Sequence, residues 1–522
     1  MQIGLRKYHL KPRRGFRERS EKKLLESILR GRLADDSEEI VPFRGRLAES
    51  SKDLRQASFV CDDFETSDPF EAVVYYIAVA SKNSTMAHCD IIYMTFFIIN
   101  VSVHVCDTMQ HIHFLVLFQE MAESNAHVNK GKATEVATKT LLYTWGLGKS
   151  GQLGTGHEQT EHTPQIVKLP GDRKLHICLK QVACGGLYTG VLTDRGDIYT
   201  FGSGKYGRLG SGCEDTLPSP VKISVPDKVL QISCGSWHGA AVTCAGSLVV
   251  WGHRKGCGQS SADSTVAILT PPSVLRLTQE HRVVGVACGH NYTIAWTDAG
   301  RVMSWGSGHH GLLGHGSTND ISSPRVISAL QEVDVVQAAA GYSHSAFVTS
   351  QGGVHVCGKG KDGALGIGET NLSDASSPVQ VAFPESVHIT KISCSVGEHH
   401  GHTLALTNDG RVFSWGGGYK GKLGLGHQDS RYTPTLIPPA HFNMESVTVV
   451  CAGGIHSTAA TAAGSVFTWG CGSDGRLGHP EGQGHRYLFR SDIPKRVVGL
   501  GEKVKRALVA CSYYHTAAIV EL

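Results

Sequence analysis

Several constellations in this chain carry residue types that do chemistry. Cys234 and His238 frame a Cys-Gly-x-x-His run, and thiolate with imidazole is a zinc-type ligand pair. The corresponding pairs are Cys184 and Tyr188, Cys288 and Tyr292, Ala340 and His344, Cys394 and His402, Ala452 and His456, and Cys511 and His515. Runs of the form G-x-G-x-x-G begin at Gly146, Gly202, Gly306, Gly358, Gly416 and Gly470, a spacing that can cradle nucleotide phosphates. Gly148-Lys149-Ser150 has the ending of a phosphate-binding loop, and Glu398-His399-His400-Gly401-His402 clusters imidazoles.

Each of these chemical readings fails on its context. A phosphate loop follows one buried strand and opens a helix, whereas these runs recur in register with no helical pattern behind them. The loop ending in Lys149 would need Gly where Tyr143 stands. Tyr does not replace His at a zinc site, and copies spread along the chain cannot converge on one ion. A buried imidazole bonded to neighbouring backbone is expected instead. The Glu398–His402 insertion reads as a solvated loop. No metal, cofactor or catalytic residue is expected, and the chain reads as a non-enzyme.

The recurrence itself is the main signal. An aromatic or apolar anchor followed by Gly stands at Trp145, Phe201, Trp251, Trp305, Cys357, Trp415 and Trp469, at intervals of 50 to 58 residues. Alternating strands flank hairpins such as Asp194-Arg-Gly196 and Asn408-Asp-Gly410, where Gly takes positive φ. One such unit cannot bury its apolar faces alone, so the units must stack. The first anchor strand, near Leu141–Trp145, lacks a preceding partner strand, and Val504–Leu522 is a partner strand lacking an anchor. The two ends therefore complete one unit. The expectation is an all-β, closed seven-bladed propeller over 136–522 with an N-/C-terminal strand clasp. The anchor residues belong to the core between blades.

Residues 1–70 read as a basic, then mixed-charge, disordered extension, with one short amphipathic helix over 18–33, and 71–135 as an apolar, irregular segment. Residues 1–32 carry eleven Lys/Arg and three Glu, a net of +8 that leaves −4 for the remainder. Nucleic-acid binding by the main body is therefore not expected. Lys11, Arg13 and Arg14 form the centre of a nuclear-import or phosphate-contact run. No membrane span is expected, because the apolar stretch after Ile91 is broken by polar residues. No apolar run follows the first basic residues, so no leader is expected, and the 15 cysteines sit mostly in apolar strands. A reducing cytoplasmic or nuclear setting is expected.

The repeated Thr-x-x-Gly-x-Val-x-x-Trp-Gly-x-Gly-x-x-Gly-x-Leu-Gly, joined to Cys-Gly-x-x-His-Thr, closely resembles the repeat of the regulator of chromosome condensation family. The third unit departs from it, with Gly256-Cys-Gly-Gln-Ser-Ser in place of the Leu-Gly element. The resemblance implies a seven-bladed propeller. Its founding member exchanges nucleotide on a small GTPase through acidic residues directly before the repeat His. Here those slots hold Leu187, Trp237, Asn291, Ser343, Gly401, Ile455 and Tyr514, none of them acidic. The preceding slots, among them Tyr342, His400 and Tyr513, hold no Trp, so the indole chromophore of the family's plant photoreceptor is absent. The expectation is a monomeric protein-interaction platform or regulatory scaffold. Leu187, Trp237, Asn291, Tyr342, Ser343, His400, Ile455, Tyr513 and Tyr514 mark its partner-binding face. Exchange on a small GTPase is the alternative, and a targeting role in a ubiquitin-ligase assembly a second one.

Overall fold

The computed structural model describes residues 3–10, 72–79 and 94–96 and, within 139–522, all except 172–176, 260–267, 276, 278–281, 399 and 484–488. The chain divides into two units, Met1–Thr134 and Glu135–Leu522. In the first, Ile3–Leu10, Ala72–Val79 and Met94–Phe96 pair as an antiparallel sheet. The helix expected over 18–33 and the basic residues Lys11, Arg13 and Arg14 lie outside the described residues.

The second unit is a ring of seven four-stranded antiparallel sheets. Blades are numbered here by their anchor, so Trp145 belongs to blade 1 and Trp469 to blade 7. Blade 2 shows the plan: Leu179–Cys184, Tyr188–Thr193, Ile198–Gly202 and Leu217–Ile223, paired in chain order. First strands touch one another in sequence all the way round and line the axis. Each second strand packs on the first strand of the next blade, and second strands such as Tyr188–Thr193 are buried along their whole length. The hairpins turn on left-handed glycines, Gly196 at φ 85° and Gly410 at φ 85° among them, as the spacing predicts.

Blade 1 is the clasp. Arg506–Cys511 and His515–Glu521 from the C-terminus pair with Thr140–Gly146 and Glu161–Val167 from the start of the unit. The register runs from His515 opposite Gly146 to Glu521 opposite Thr140. The outermost strands pair with no further strand, and each carries proline: Pro164, Pro218, Pro271, Pro324, Pro378, Pro434 and Pro494 stand on the seven. Proline donates no ladder hydrogen bond, so these edges are poor templates for pairing with another chain.

One junction repeats between blades. The anchor indoles of Trp145, Trp251, Trp305, Trp415 and Trp469 are 0% exposed. Each donates Nε1–H to a loop carbonyl of the preceding blade, at 2.8–3.1 Å from Arg476, Arg208, Gly256, Ala364 and Lys422. The hydroxyls of Thr516, Thr293, Thr403 and Ser457 donate to the same carbonyls of Arg476, Gly256, Ala364 and Lys422. Having spent its proton there, each hydroxyl accepts from the preceding blade's repeat histidine. His238 Nε2 lies 2.7 Å from Thr293, His344 2.9 Å from Thr403, His402 2.9 Å from Ser457, and His456 2.9 Å from Thr516. His515 meets Thr189 at 2.8 Å, so the same bond crosses the clasp. This geometry sets the neutral Nε2–H tautomer. Tyr188 and Tyr292 fill the slot in blades 2 and 4, donating O–H to the carbonyls of His238 and His344. For the histidines the partner is thus a side-chain hydroxyl of the next blade rather than the nearby backbone expected from sequence.

Two consequences can be measured. Removing 515–522 strips Thr140–Gly146 of its partner strand, so that variant should lose cooperative thermal unfolding and compactness in size-exclusion chromatography; an unchanged transition would contradict the clasp. Burial holds the repeat histidines neutral, with pKa values lowered to about 3 for His238 and His515 and about 4 for His344. Above the unfolded value near 6.5 neither state is protonated, and stability is complete. Below it only the unfolded chain takes up protons, so stability falls as pH drops, by about 2 kcal/mol per such histidine at pH 5. Urea unfolding should show a large loss between pH 7 and pH 5, and His344→Gln should flatten that slope. Equal stability at both pH values would exclude this role.

Candidate partner-binding face

Because the strands are antiparallel, the turns from first to second strand and the Gly-rich loops from third to fourth strand emerge at one end of the ring. The hairpins emerge at the other. The residue before each repeat His or Tyr lies in the first of these turns, and its carbonyl is already used. Ser203 N–H donates to Leu187, His253 to Trp237, Ser307 to Asn291, Lys359 to Ser343, Gly417 to Gly401, Cys471 to Ile455 and Leu147 to Tyr514, at 2.8–3.0 Å. Neighbouring turns are also tied together: Gly186 N–H donates to Gly235, Ser236 to Gly289, His290 to Gly341, Tyr342 to Ser395 and Gly454 to Ser512. With the backbone so engaged, side chains are what the turns present.

These side chains come together unevenly. Trp237, His290 and Tyr342, on three successive blades, form an arc. Trp237 and His290 have ring centroids 6.1 Å apart and His290 and Tyr342 4.2 Å apart. Tyr206 extends the arc from the blade 2 loop, edge-on to Trp237 at 5.1 Å. His290 is fixed by Ser236 Oγ at 3.0 Å from Nδ1, and burial lowers its pKa to about 4, so it is neutral at physiological pH. Across the mouth, Tyr513 and Tyr514 lie 4.5 Å apart, and exposed His400 stacks on Tyr419 at 5.3 Å. Leu187, Asn291 and Ile455 are half-buried, whereas Ser343 is 5% exposed and leaves Tyr342 as the surface of its turn.

Three cations that sequence reasoning passed over hold this face from beneath. Arg208, Lys422 and Arg476 follow the third Gly of their G-x-G-x-x-G runs and are 0–2% exposed. Arg208 donates Nη1–H to Ser236 O at 3.0 Å and lies 4.4 Å from the Trp237 ring. Arg476 donates to Tyr513 O at 2.6 Å and pairs with Asp474 at 3.0 Å. Lys422 donates to His400 O, and burial brings its pKa down to about 7. The available signal was a charged residue in a slot that other blades fill with Gln152, Leu312 or Ala364.

Five loop residues just before that Gly adopt left-handed backbone: Tyr206, His310, Asp362, Lys420 and Asp474, at φ 57–66°. Such strain in non-glycine residues persists only where the surroundings impose it. In blade 3 a helical turn, Arg254–Cys257, replaces this loop, consistent with the irregularity expected there. Among the described residues no cluster of His, Cys, Asp or Glu could hold a metal ion, and no helix is long and apolar enough to cross a membrane.

Comparison with known proteins matches the family model described as "RCC1-like domain" to residues 141–518. The chain is 33% identical over 299 residues to the ultraviolet-B receptor UVR8 of Arabidopsis thaliana, covering 57% of this chain and 65% of the receptor. It is 35% identical over 314 residues to the human E3 ubiquitin-protein ligase HERC2, covering 59% of this chain and 6% of the ligase. The chain thus spans less than two thirds of the length of either relative. Among solved structures, human WBSCR16 aligns with TM-score 0.63 at 25% identity, covering 73% of this chain and 98% of that one. Yeast RCC1 (Prp20), solved bound to Kap60, aligns with TM-score 0.63 at 22% identity, covering 74% and 89%, a likeness of fold.

Proposed function

This chain belongs to the RCC1-like domain family, and from that premise we propose that it is a non-enzymatic protein-binding platform that grips its partner with the turn face of the propeller. Relatives of this kind support a protein-interaction or regulatory role in general. The observation that carries the specific reading is the arc Tyr206–Trp237–His290–Tyr342, drawn from four successive blades and left half-exposed on turns whose backbones are fixed. Rigid aromatic side chains bury large area at small entropic cost, which is why they anchor protein interfaces.

The reading predicts a separation between stability and binding. Trp237→Ala/Tyr342→Ala should fold with nearly the parental melting temperature, because neither side chain fills the core between blades. The same variant of the full chain should lose the proteins captured by the parental chain from a cell lysate. Unchanged capture would refute the assignment of this face. Release of mant-GDP from a panel of small GTPases, with the chain at stoichiometric concentration, should stay at the intrinsic rate; acceleration would replace the platform reading with exchange.

A further inference from the structure

We propose that Cys451 and Cys511 are a redox-sensitive pair: oxidation joins them in a disulfide that locks the clasp to blade 7, and reduction releases it.

The pair arises from the repeat. The next-to-last residue of one blade's first strand meets the last residue of the following blade's first strand. Between blades 3 and 4 Ser233 Oγ accepts from Cys288 N–H at 2.9 Å, and between blades 6 and 7 Ser393 Oγ accepts from Ala452 N–H at 3.0 Å. Blade 7 carries Cys451 in this slot, on Val447–Ala452, and it meets Cys511 at the end of Arg506–Cys511 in blade 1. Cys511 N–H donates to Cys451 Sγ at 3.2 Å, and the Cys511 thiol donates to Cys451 O at 3.2 Å. Cys451 Sγ lies 3.6 Å from Cys511 O, so each sulfur rests against the other residue's backbone. In the other six blades that slot holds Ala or Ser, and this is the one junction among the described residues where two thiols meet in these positions.

The two thiols are not alike. Hydrogen bonds from the Cys511 thiol, from its backbone N–H and from Ser393 pull the Cys451 thiol below its ordinary value against the opposing effect of burial, whereas burial pushes Cys511 well up. Cys451 is half-buried and Cys511 is 4% exposed. Cys451 therefore reacts first, because the thiolate is the nucleophile. With hydrogen peroxide it attacks one oxygen, the O–O bond breaks, and hydroxide leaves to become water, giving the Cys451 sulfenic acid. Cys511 then gives up its proton, its sulfur attacks the Cys451 sulfur, and the S–O bond breaks with release of a second water. Two thiols lose two electrons to one peroxide. A dithiol such as dithiothreitol returns both thiols by exchange and takes the disulfide itself. The cross-link would span 60 residues and tie the C-terminal half of the clasp to its neighbour, removing freedom from the unfolded chain.

Peroxide treatment of the reduced full chain, followed by non-reducing peptide mapping in a mass spectrometer, tests this. Cys451 should be found linked to Cys511, and dithiothreitol should remove the link. The oxidised chain should melt roughly 5 °C above the reduced one. Cys451→Ser and Cys511→Ala install residues that other junctions already hold, so each should keep nearly the parental melting temperature when reduced and lose both the link and the rise on oxidation. Four outcomes would each overturn the proposal: no link; Cys451 carried on to sulfinic acid instead; Cys511 linked to Cys184, which donates to Ala510 O at 3.5 Å on the other side of blade 1; or a link that leaves the melting temperature unchanged.

Discussion

Everything in the ring depends on how one blade is fastened to the next. A blade has two large apolar faces and must bury both, but apolar contact alone would let sheets slide and rotate against each other. The repeated junction removes that freedom. A single loop carbonyl accepts from the next blade's indole and hydroxyl, and that hydroxyl accepts in turn from the imidazole behind it. Because every group in this chain of bonds is buried, a misplaced blade would leave several polar atoms unpaired at a cost of about 1–3 kcal/mol each. Specific stacking follows from that penalty more than from the strength of any one bond.

The junction varies without breaking. In blade 3 Gly239 stands where other blades carry the hydroxyl, and a side chain there would collide with Trp251. The preceding blade supplies Tyr188 in place of His, and its phenol reaches past the missing hydroxyl to the backbone of His238. Tyr292 in blade 4 likewise reaches a backbone carbonyl, that of His344, although blade 5 keeps its hydroxyl: Ser345 Oγ donates to Leu312 O at 2.7 Å and lies 2.9 Å from the phenol oxygen. A slot that tolerates His or Tyr is thus a slot for a buried hydrogen-bonding ring, not for a metal ligand.

Fixing the blades also fixes the turns, and this links architecture to recognition. The turn carbonyls are taken up by the strands beneath, by neighbouring turns and by buried cations, so the side chains projecting from them can change with little effect on the fold. In this chain those positions collect Trp237, His290, Tyr342, Tyr513 and Tyr514. Arg208, placed 4.4 Å from the Trp237 ring, holds one ring of the arc from below and limits its motion. A rigid aromatic surface loses less entropy when a partner binds than a mobile one.

The periodic part of this design was legible from sequence. The anchor residues, the hairpin glycines, the count of seven and the strand clasp all follow from a local pattern repeated at near-constant spacing, since each blade satisfies the same bonds. The turn face was legible only as a set of slots. Trp237, His290 and Tyr342 lie more than fifty residues apart, and nothing local says that their rings touch while Leu187 and Ile455 stand apart from them. Ser343 looked equivalent to its counterparts yet is buried, and Arg208, Lys422 and Arg476, which drew no notice in the sequence, lie inside. Burial of a polar side chain depends on which carbonyls a neighbouring blade brings to it. The residue pattern determined the ring, because closure needs only repetition; the ring alone decided the surface, because that surface is assembled from distant segments.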